Sequence, residues 1–341
     1  MISFLYAILV FLVLRFSVTL FNFLSNPKLG LSLRHYTDLI SICVDAKDFT
    51  GENPLDDLLT QDYQQIEILV KLTGDPMLDY HWNTAYGHHR SVHLLGPGVD
   101  SRKEASGNYL LFLKPSVVLK NGSLQSMMHR MKTFRLTLLS VIPAQVSTGF
   151  PDIFFQPLYN FVLLGLVPLR LIRLSGSPLF SAGSSECMLF DKKVYLKEHW
   201  LDGLFPADIG GIEMIKLVKE HRLKTETLLG GRLVKSYAHG SAEVIFKRTG
   251  NRVYGLLGNN IFALLCYLVL VVAGPVAMFF SLNLNLLILP AGLIFLSRIM
   301  QSFLSGQSPV KNLILHPLQM LVLGVSLIFT AAGRFIRSQQ K

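Results

Sequence analysis

The sequence predicts a mixed α/β domain that is tied to a membrane by one helix before it and a group of helices after it. Residues 2–24 are almost wholly apolar, with Arg15 as the only charge, and a run of roughly 20 apolar residues spans a bilayer core. Between residues 36 and 250, short apolar runs alternate with helical patterns, an order typical of a mostly parallel sheet. We therefore predict an N-terminal transmembrane helix at 1–25, an α/β domain at 36–250 and C-terminal transmembrane segments at 255–335.

The composition indicates a membrane protein with a soluble part. Half of the 341 residues are hydrophobic and only 16% are charged, against roughly 25% charged residues in soluble domains. The net charge is +10, which is typical of basic cytoplasmic loops and of contact with anionic membrane lipid. Because the basic residues are scattered and no base-stacking motif accompanies them, we do not expect a nucleic-acid partner.

The first apolar run is interpreted as a permanent anchor. A signal peptide is the alternative, but no basic stretch precedes the run and no small-residue cleavage site ends it. Lys28, Arg34 and His35 follow the run and place this side of the helix in the cytoplasm. Three isolated cysteines predict neither a disulfide framework nor a metal site, which fits a reducing compartment; they are Cys43, Cys187 and Cys266.

The first half of the α/β domain contains a predicted βαβ unit. Residues 38–46 and 66–70 are short, apolar and rich in β-formers, and leucines between them mark one face of a short helix. Such a unit is right-handed and its two strands are parallel. Residues 76–100 contain several glycines and four closely spaced histidines, and we interpret them as a loop with an edge strand near 92–94. Metal binding by these histidines is not favoured, because no cysteine or acidic partner sits at ligand spacing.

Residues 109–119 predict a central buried strand, a short polar interruption and a second apolar run. Continuous apolar residues suit a parallel strand that is covered on both faces. In open α/β sheets, ligands bind outside the carboxyl ends of such strands. A ligand site is therefore predicted at Lys114, Pro115 and Ser116.

Residues 150–174 approach spanning length but are interrupted by Pro157, Gly165 and Pro168. Prolines within an apolar run favour an in-plane or re-entrant element over a clean span, although a true span stays open. Arg170 and Arg173 are placed to meet lipid phosphate in this interpretation.

The C-terminal third predicts three further spans, at residues 261–282, 284–299 and 313–332, followed by a basic tail. With a cytoplasmic domain after the first span, this count would leave the basic tail outside, against the positive-inside rule. Either residues 150–174 also cross the membrane or one of the C-terminal segments does not.

Two stretches resemble membrane-bound family-2 glycosyltransferases, which have the GT-A fold. They are Ala-Ser-Gly-Asn-Tyr before Leu-Leu-Phe-Leu at 105–113, and Leu-Leu-Thr-Gln-Asp-Tyr before Glu-Ile-Leu-Val at 58–70. The resemblance implies a cytoplasmic catalytic domain in a bacterial inner membrane. It also implies a nucleotide-sugar donor, and Mg²⁺ or Mn²⁺ held by an Asp-x-Asp motif at the end of the 109–113 strand.

The acidic motifs of that family are replaced in this chain. Lys114 and Ser116 stand at the Asp-x-Asp positions, and Lys71 stands where an aspartate is expected. Gly210 and Gly211 align with the Glu-Asp pair that supplies the general base, although a shifted register would let Asp208 serve. The metal ligands implied by the resemblance are therefore missing from the aligned positions.

Several other residues are candidates for nucleotide or phosphate binding by their place in the resemblance. Asp45 and Asp48 follow the first strand, and Asp75 follows the second. Lys235 lies where the family often has a basic residue near the phosphates, with an ordinary surface lysine as the alternative.

Two functions follow from this pattern. The first is transfer of a sugar from a nucleotide-sugar to a lipid-linked or polysaccharide acceptor, with Lys71 and Lys114 binding the diphosphate directly in place of a metal. The second is a catalytically inactive homologue that acts as a membrane scaffold or regulatory partner of an active glycosyltransferase. A transporter is disfavoured because the spans lack paired buried charges.

Overall fold

The chain forms two compact units. The computed structural model describes residues 2–46, 55–146, 149, 152–197, 209–237 and 242–339. The first unit, here called the helical unit, consists of Met1–Asn26, Gln145–Leu169 and Ala238–Lys341. The second, here called the sheet unit, consists of Pro27–Ala144 and Arg170–Tyr237.

A seven-stranded, mostly parallel sheet forms the centre of the sheet unit, and the predicted fold class is confirmed. The strand order is β3-β2-β1-β4-β8-β6-β9, and β8 is antiparallel to both of its neighbours. The strands of this sheet are β1 Ile40–Asp45, β2 Ile66–Lys71, β3 Val92–Leu95, β4 Tyr109–Leu113, β6 Leu138–Ile142, β8 Cys187–Asp191 and β9 Thr225–Leu229. Three shorter strands are β5 Val117–Leu119, β7 Ala144–Val146 and β10 Val234–Tyr237.

The predicted βαβ unit is present. β1 and β2 pair in parallel from Ile40 opposite Ile66 to Asp45 opposite Lys71. The predicted central strand is also confirmed, because β4 is the fourth of the seven strands. Its residues from Leu110 to Leu113 are buried, as expected for a strand that is covered on both faces.

Helices of the sheet unit connect and cover these strands. They are α2 Asp56–Leu59, α3 Pro76–Tyr86, α4 Ser101–Glu104, α5 Ser123–Phe134, α8 Lys192–Lys197 and α9 Gly211–Glu220. The prediction of a loop at 76–100 is wrong for its first half, which forms α3. The predicted edge strand is present as β3. Asp75 caps α3 by accepting a hydrogen bond from the Met77 backbone nitrogen at 2.9 Å, and Pro76 occupies the first turn, where its missing N–H costs nothing.

A buried glutamate fixes the chain as it enters β4. The Glu67 carboxylate accepts hydrogen bonds from the Ser41 hydroxyl, the Ser106 nitrogen and the Gly107 nitrogen. Burial by itself raises the pKa of Glu67, but these hydrogen bonds outweigh it and hold the pKa below its ordinary value. A Cβ on Gly107 would lie 2.7 Å from the Leu39 carbonyl oxygen, so only glycine fits here.

Three arginines surround one buried carboxylate in the sheet unit. Arg130 of α5 makes a two-point contact with Glu226, in which its Nε donates at 2.9 Å. Arg170 and Arg173 donate to the same carboxylate at 3.3 and 3.0 Å. The structure thus pairs with Glu226 the two arginines that the sequence assigned to lipid phosphate. Arg130 and Arg173 also stack on the Phe134 ring.

The helical unit contains the apolar helices. Within the described residues, four helices are long and apolar enough to cross a membrane, one at the N-terminus and three near the C-terminus, as the sequence predicts. The helices of this unit are α1 Ile2–Ser25, α6 Asp152–Leu166, α10 Ala242–Leu256, α11 Ile261–Ser281, α12 Leu284–Ser305, α13 Pro309–Ile314 and α14 His316–Gln339. A short helix, α7 Leu169–Leu174, follows α6 and belongs to the sheet unit from Arg170 onward. The middle of α11, Val269–Ala273, is a π-helical turn.

The interrupted segment at 150–174 is helical on both sides of a break at Pro168. α6 has 15 residues, fewer than the roughly 20 that cross a bilayer core. The side-chain amide of Asn22 in α1 bridges the break: it donates to the carbonyl oxygens of Leu164 and Val167 at 3.0 and 2.8 Å, and it accepts from the Leu169 nitrogen at 2.9 Å. Backbone groups freed by the proline are therefore satisfied by one side chain of another helix.

Candidate functional site

The carboxyl ends of three neighbouring parallel strands form one edge of the sheet. Asp45 and Lys71 are register partners at the ends of β1 and β2. On its other side β1 pairs with β4 as far as Cys43 opposite Phe112, and Lys114 is the first residue after β4. Since neighbouring strands lie about 4.8 Å apart, the ends of β2, β1 and β4 lie within about 10 Å of one another, with β1 between the other two.

The residues after β4 are held in a turn. The Lys114 nitrogen donates to the Glu186 carbonyl oxygen, and the Val117 nitrogen donates to the Lys114 carbonyl oxygen, both at 2.9 Å. Ser116 is fixed by β10: its carbonyl oxygen accepts from the Tyr237 nitrogen at 2.9 Å, and its hydroxyl lies 3.4 Å from the Ser236 hydroxyl. These contacts determine the backbone positions of Lys114 and Ser116.

Lys235 lies next to this turn but on the opposite face of its strand from Ser236. β10 pairs with β5 in antiparallel register, with Lys235 opposite Val118 and Ser236 opposite Val117. Val234 and Ser236 are buried, whereas Lys235 is half-buried. Since side chains alternate between the two faces of a strand, it is Ser236 that meets Ser116, and Lys235 projects from the other face.

The Asp75 side chain has a structural role. Its carboxylate caps α3, and the adjacent loop is held by Asp79, which accepts from the nitrogens of Thr73 and Gly74 at 3.1 and 3.0 Å. A capping carboxylate stabilises a protein by typically about 1 kcal/mol. The remaining candidates, Asp48 and Asp208, lie outside the described residues.

Gly211 is required by close packing and Gly210 is favoured by its backbone conformation. A Cβ on Gly211 would lie 2.6 Å from backbone atoms of Ser184 and Ser185, which precede β8. Gly210 has a φ of +99°, in the left-handed region that favours glycine. A carboxylate side chain at residue 211 is therefore excluded by backbone atoms.

Two carboxylates that the sequence reasoning missed lie beside these positions. Glu186 is buried and precedes β8, whose Cys187 pairs with Leu113 at the end of β4. Glu213 lies in the first turn of α9, and its Oε2 would be 2.8 Å from a Cβ on Gly210. Glu186 reaches this edge because β8 is antiparallel, and the sequence pattern does not reveal the direction of that strand. Glu213 could have been found from the sequence, because it lies three residues after Gly210 and glycine has no side chain to occupy the space beside it.

The side chains at positions 71, 114, 210 and 211 do not fit Mg²⁺ or Mn²⁺. These ions prefer carboxylate and other oxygen ligands, whereas positions 71 and 114 present ammonium groups and positions 210 and 211 present no side chain. In the part of the chain that the structure describes, no three histidine, cysteine or acidic side chains lie together in a group that would hold a metal ion.

The two buried cysteines near this edge are not nucleophiles. Cys43 lies in β1 and Cys187 in β8, and burial raises the pKa of each thiol to about 12. Since the thiolate is the reactive form, both side chains act as small apolar residues of the core.

The sequence matches no family model and no curated protein. Solved structures of S. aureus TarS are similar to this chain. The structure of TarS 1–349 in complex with UDP-GlcNAc is 10% identical, covers 86% of this chain and 92% of its own, and has a TM-score of 0.41. The complex of the same fragment with UDP is 12% identical, with the same coverage and a TM-score of 0.39.

Proposed function

We propose that the sheet unit binds the diphosphate of a nucleotide-sugar at the carboxyl edge of β1, β2 and β4, and that the protein is a membrane glycosyltransferase of an unusual, metal-independent kind. The observation that supports the proposal is the arrangement of the strand ends: Lys71 pairs with Asp45, and Lys114 follows β4, the other neighbour of β1. In open α/β sheets this edge is where ligands bind.

Lys71 and Lys114 supply the positive charge that a metal ion would otherwise supply beside the diphosphate. Loss of a nucleoside diphosphate from a sugar builds negative charge on the leaving group, and fixed cations at that position lower the barrier. Ammonium groups are compact point charges that bind phosphate oxygens. Ser116, held beside Ser236, adds a hydroxyl donor at the same edge.

Transfer to an acceptor hydroxyl also needs a general base, which contributes typically 10²–10⁴-fold in rate. Glu213 is the described carboxylate that we assign to this task, because its Oε2 lies beside Gly210, where the resembled family has an acidic side chain. Asp208 stays a second candidate from the sequence. We further propose a lipid-linked or polysaccharide acceptor and a cytoplasmic sheet unit in a bacterial inner membrane, since four helices are suited to a bilayer.

A second function is favoured by the packing of Gly211 against Ser184 and Ser185. This packing leaves no room for a carboxylate at the aligned base position. Such packing is expected in a protein that kept the fold and lost the catalytic activity, as in an inactive homologue that binds an active glycosyltransferase.

The test is calorimetric titration of the full chain in detergent with UDP, GDP and their sugars, with and without Mg²⁺ or Mn²⁺. We expect binding without metal that weakens about tenfold or more in Lys114→Ala, since a charge-assisted hydrogen bond is lost. Lys103→Ala is the matched control, because Lys103 is an exposed lysine of α4, before rather than after β4. Binding that requires metal, or no binding at all, overturns the proposed site.

Turnover separates the two functions. Sugar transfer or slow hydrolysis of a bound nucleotide-sugar that falls in Glu213→Gln, with nucleotide binding retained, supports the enzyme. Metal-independent binding with no turnover toward any lipid or glycan acceptor supports the inactive homologue.

A further inference from the structure

The sheet has a second edge at the end opposite to the candidate site, where β6 and β9 begin and the antiparallel β8 ends. The Thr137 nitrogen donates there to the Lys224 carbonyl oxygen at 2.8 Å, and the Asp191 nitrogen donates to the Thr137 carbonyl oxygen at 3.0 Å. These hydrogen bonds join three segments of the sheet unit. The segments, here called the amino edge, are residues 132–137, 191–193 and 220–224.

The amino edge is strongly basic. Its three segments contain six lysines or arginines and two aspartates or glutamates, and four of the cations are exposed: Arg135, Lys193, Arg222 and Lys224. Asp191 is engaged within its own segment, since its carboxylate accepts from the Lys193 nitrogen at 2.9 Å. Because neighbouring strands lie about 4.8 Å apart, the ends of β8, β6 and β9 place these cations along a row about 10 Å wide.

The three arginines around Glu226 add to this charge. They share one carboxylate, so the four side chains carry three positive charges and one negative. This cluster adjoins the amino edge, because Arg130 and Arg173 stack on the ring of Phe134, the residue before Arg135. The three arginines are half-buried rather than sealed in the core, and their excess charge therefore reinforces the positive potential of this surface.

Two arginines of the amino edge have an unfavourable backbone conformation. Arg135 has a φ of +49° and Arg222 a φ of +58°. Each lies in the turn between a helix and the strand that follows it, α5 to β6 and α9 to β9. The left-handed region suits glycine and, among other residues, asparagine. Strain at two neighbouring turns, in both cases at a charged side chain, points to a role for the charge.

The helix dipole does not account for these two arginines. Cations are favoured in the last turn of a helix, and Lys132 of α5 and Lys219 of α9 already lie in those turns. Arg135 and Arg222 come after the two helices have ended, where a glycine would form the same turn with less strain.

We propose that the amino edge is a docking surface for an acidic, extended segment of a partner protein. Clusters of arginine bind acidic motifs through charge-assisted hydrogen bonds, two of which can form to one carboxylate. Side chains on one side of an extended segment recur about every 6.8 Å. Two or three glutamates or aspartates at alternate positions therefore match a row of cations of this width.

The composition of the amino edge favours a protein over a membrane or a nucleic acid. None of its residues, all of which the structure describes, is a large hydrophobic residue with an exposed side chain, whereas surface binding to a bilayer uses apolar side chains beside basic ones. Single-stranded nucleic acids stack their bases on exposed aromatic rings, but Phe134 is half-buried and carries two arginines. The surface lies at the opposite end of the sheet from the nucleotide edge, and the proposal stands without nucleotide binding.

The test is binding of a fluorescently labelled peptide of alternating Glu and Ser to the full chain in an uncharged detergent, measured by fluorescence anisotropy. The same peptide with Gln in place of Glu keeps the length and removes the charge. We expect the acidic peptide to bind at least about tenfold more tightly than the neutral one and to lose affinity as salt rises. Tighter binding of a thymidine oligonucleotide, or of phosphatidylglycerol in the same detergent, would assign the surface to nucleic acid or to a membrane and overturn the proposal.

Arg135→Gly and Arg222→Gly separate binding from folding. Both changes remove a cation and relieve the left-handed backbone, so the thermal midpoint of the double variant should stay the same or rise, while its affinity for the acidic peptide falls about tenfold or more. A loss of affinity with the midpoint retained cannot come from unfolding. Arg232→Gly is the matched control, since Arg232 is an exposed arginine three residues after β9, at the other end of that strand. Equal binding of the two peptides, unchanged affinity in the double variant, or an equal loss in Arg232→Gly overturns the proposal.

Discussion

Asp45 and Lys71 are register partners at the last paired position of β1 and β2. This pairing brings an acidic and a basic side chain to the edge of the sheet where the strands end. Lys114 follows the end of β4, the parallel strand on the other side of β1. The three residues together carry a net positive charge, which is the electrostatic requirement for binding a diphosphate without metal.

Lys71→Ala should weaken the binding of UDP or GDP about tenfold or more, because one of the two cations at the edge is removed. Wild-type binding should also weaken as salt rises from 50 to 500 mM, since exposed and half-buried charges are screened. Calorimetry of the full chain measures both effects. Lys193→Ala, at an exposed lysine of α8, should leave the affinity unchanged; equal losses in the two variants would contradict a specific site.

Gly211→Ala should destabilise the sheet unit. Its new Cβ would lie 2.6 Å from backbone atoms of Ser184 and Ser185, and overpacking of this kind costs typically 1–3 kcal/mol. Thermal unfolding in detergent measures the shift. Gly176→Ala is the control, because nothing lies within 4 Å of a Cβ at Gly176. A Gly211→Ala protein as stable as Gly176→Ala would show that the close approach of Ser184 and Ser185 does not require glycine at residue 211.

Glu226→Gln should lower the free energy of unfolding by about 3–5 kcal/mol, the usual cost of removing one partner of a buried ion pair. The carboxylate is 1% exposed and balances three arginines, which would be left to repel one another. Chemical denaturation followed by fluorescence measures the loss. Glu243→Gln is the comparison, since Glu243 pairs with Lys247 on an exposed helix surface and should have little effect on stability.

Stability should rise with pH between about 8 and 10.5 because of Lys219. Burial lowers the pKa of this lysine from 10.5 to about 8, while its Nζ donates to the carbonyl oxygens of Ser177 and Phe180. In this window the unfolded lysine is protonated and the folded one is not, so the unfolded state binds more protons and the free energy of unfolding increases with pH.

The increase should be of the order of 3 kcal/mol and fully developed near pH 10.5. Lys219→Met removes the titrating group and should lack this increase. The unfolding free energy of the wild type minus that of the variant should therefore rise across the window. Denaturation of both proteins at pH 7.5, 9 and 10.5 gives this difference. The same pH dependence in both proteins would show that Lys219 is not the cause.

The sheet could be predicted because its strands are continuous apolar runs, a pattern that burial on both faces requires. The apolar spans could be predicted for a similar reason, since their length matches a bilayer. The helix at Pro76–Tyr86 was not predicted, because the glycines and histidines of residues 76–100 favoured a loop. Asp75 and Pro76 nevertheless form a helix-start signal. The ion pairs between Glu226 and the three arginines could not be predicted either, since these residues come from distant segments of the sequence.

Of the candidate site, only the strand ends could be predicted from the sequence and compared with the structure, and the binding role of the residues there stays a prediction. The register pairs Lys71 with Asp45, and Lys114 follows the end of β4, the other neighbour of β1. The direction of β8 could not be read, so Glu186 was missed. The reason for glycine at residue 211 is a backbone contact with Ser184 and Ser185, and no local pattern records a contact between segments.

The bridge made by Asn22 makes the geometry of the broken segment depend on the first helix. The Asn22 amide accepts from the Leu169 nitrogen and donates to the carbonyl oxygens of Leu164 and Val167, so a residue 147 positions earlier in the sequence fixes the direction of the chain at Pro168. An apolar helix of equal length without this amide would remove all three hydrogen bonds, and buried backbone groups without partners are costly.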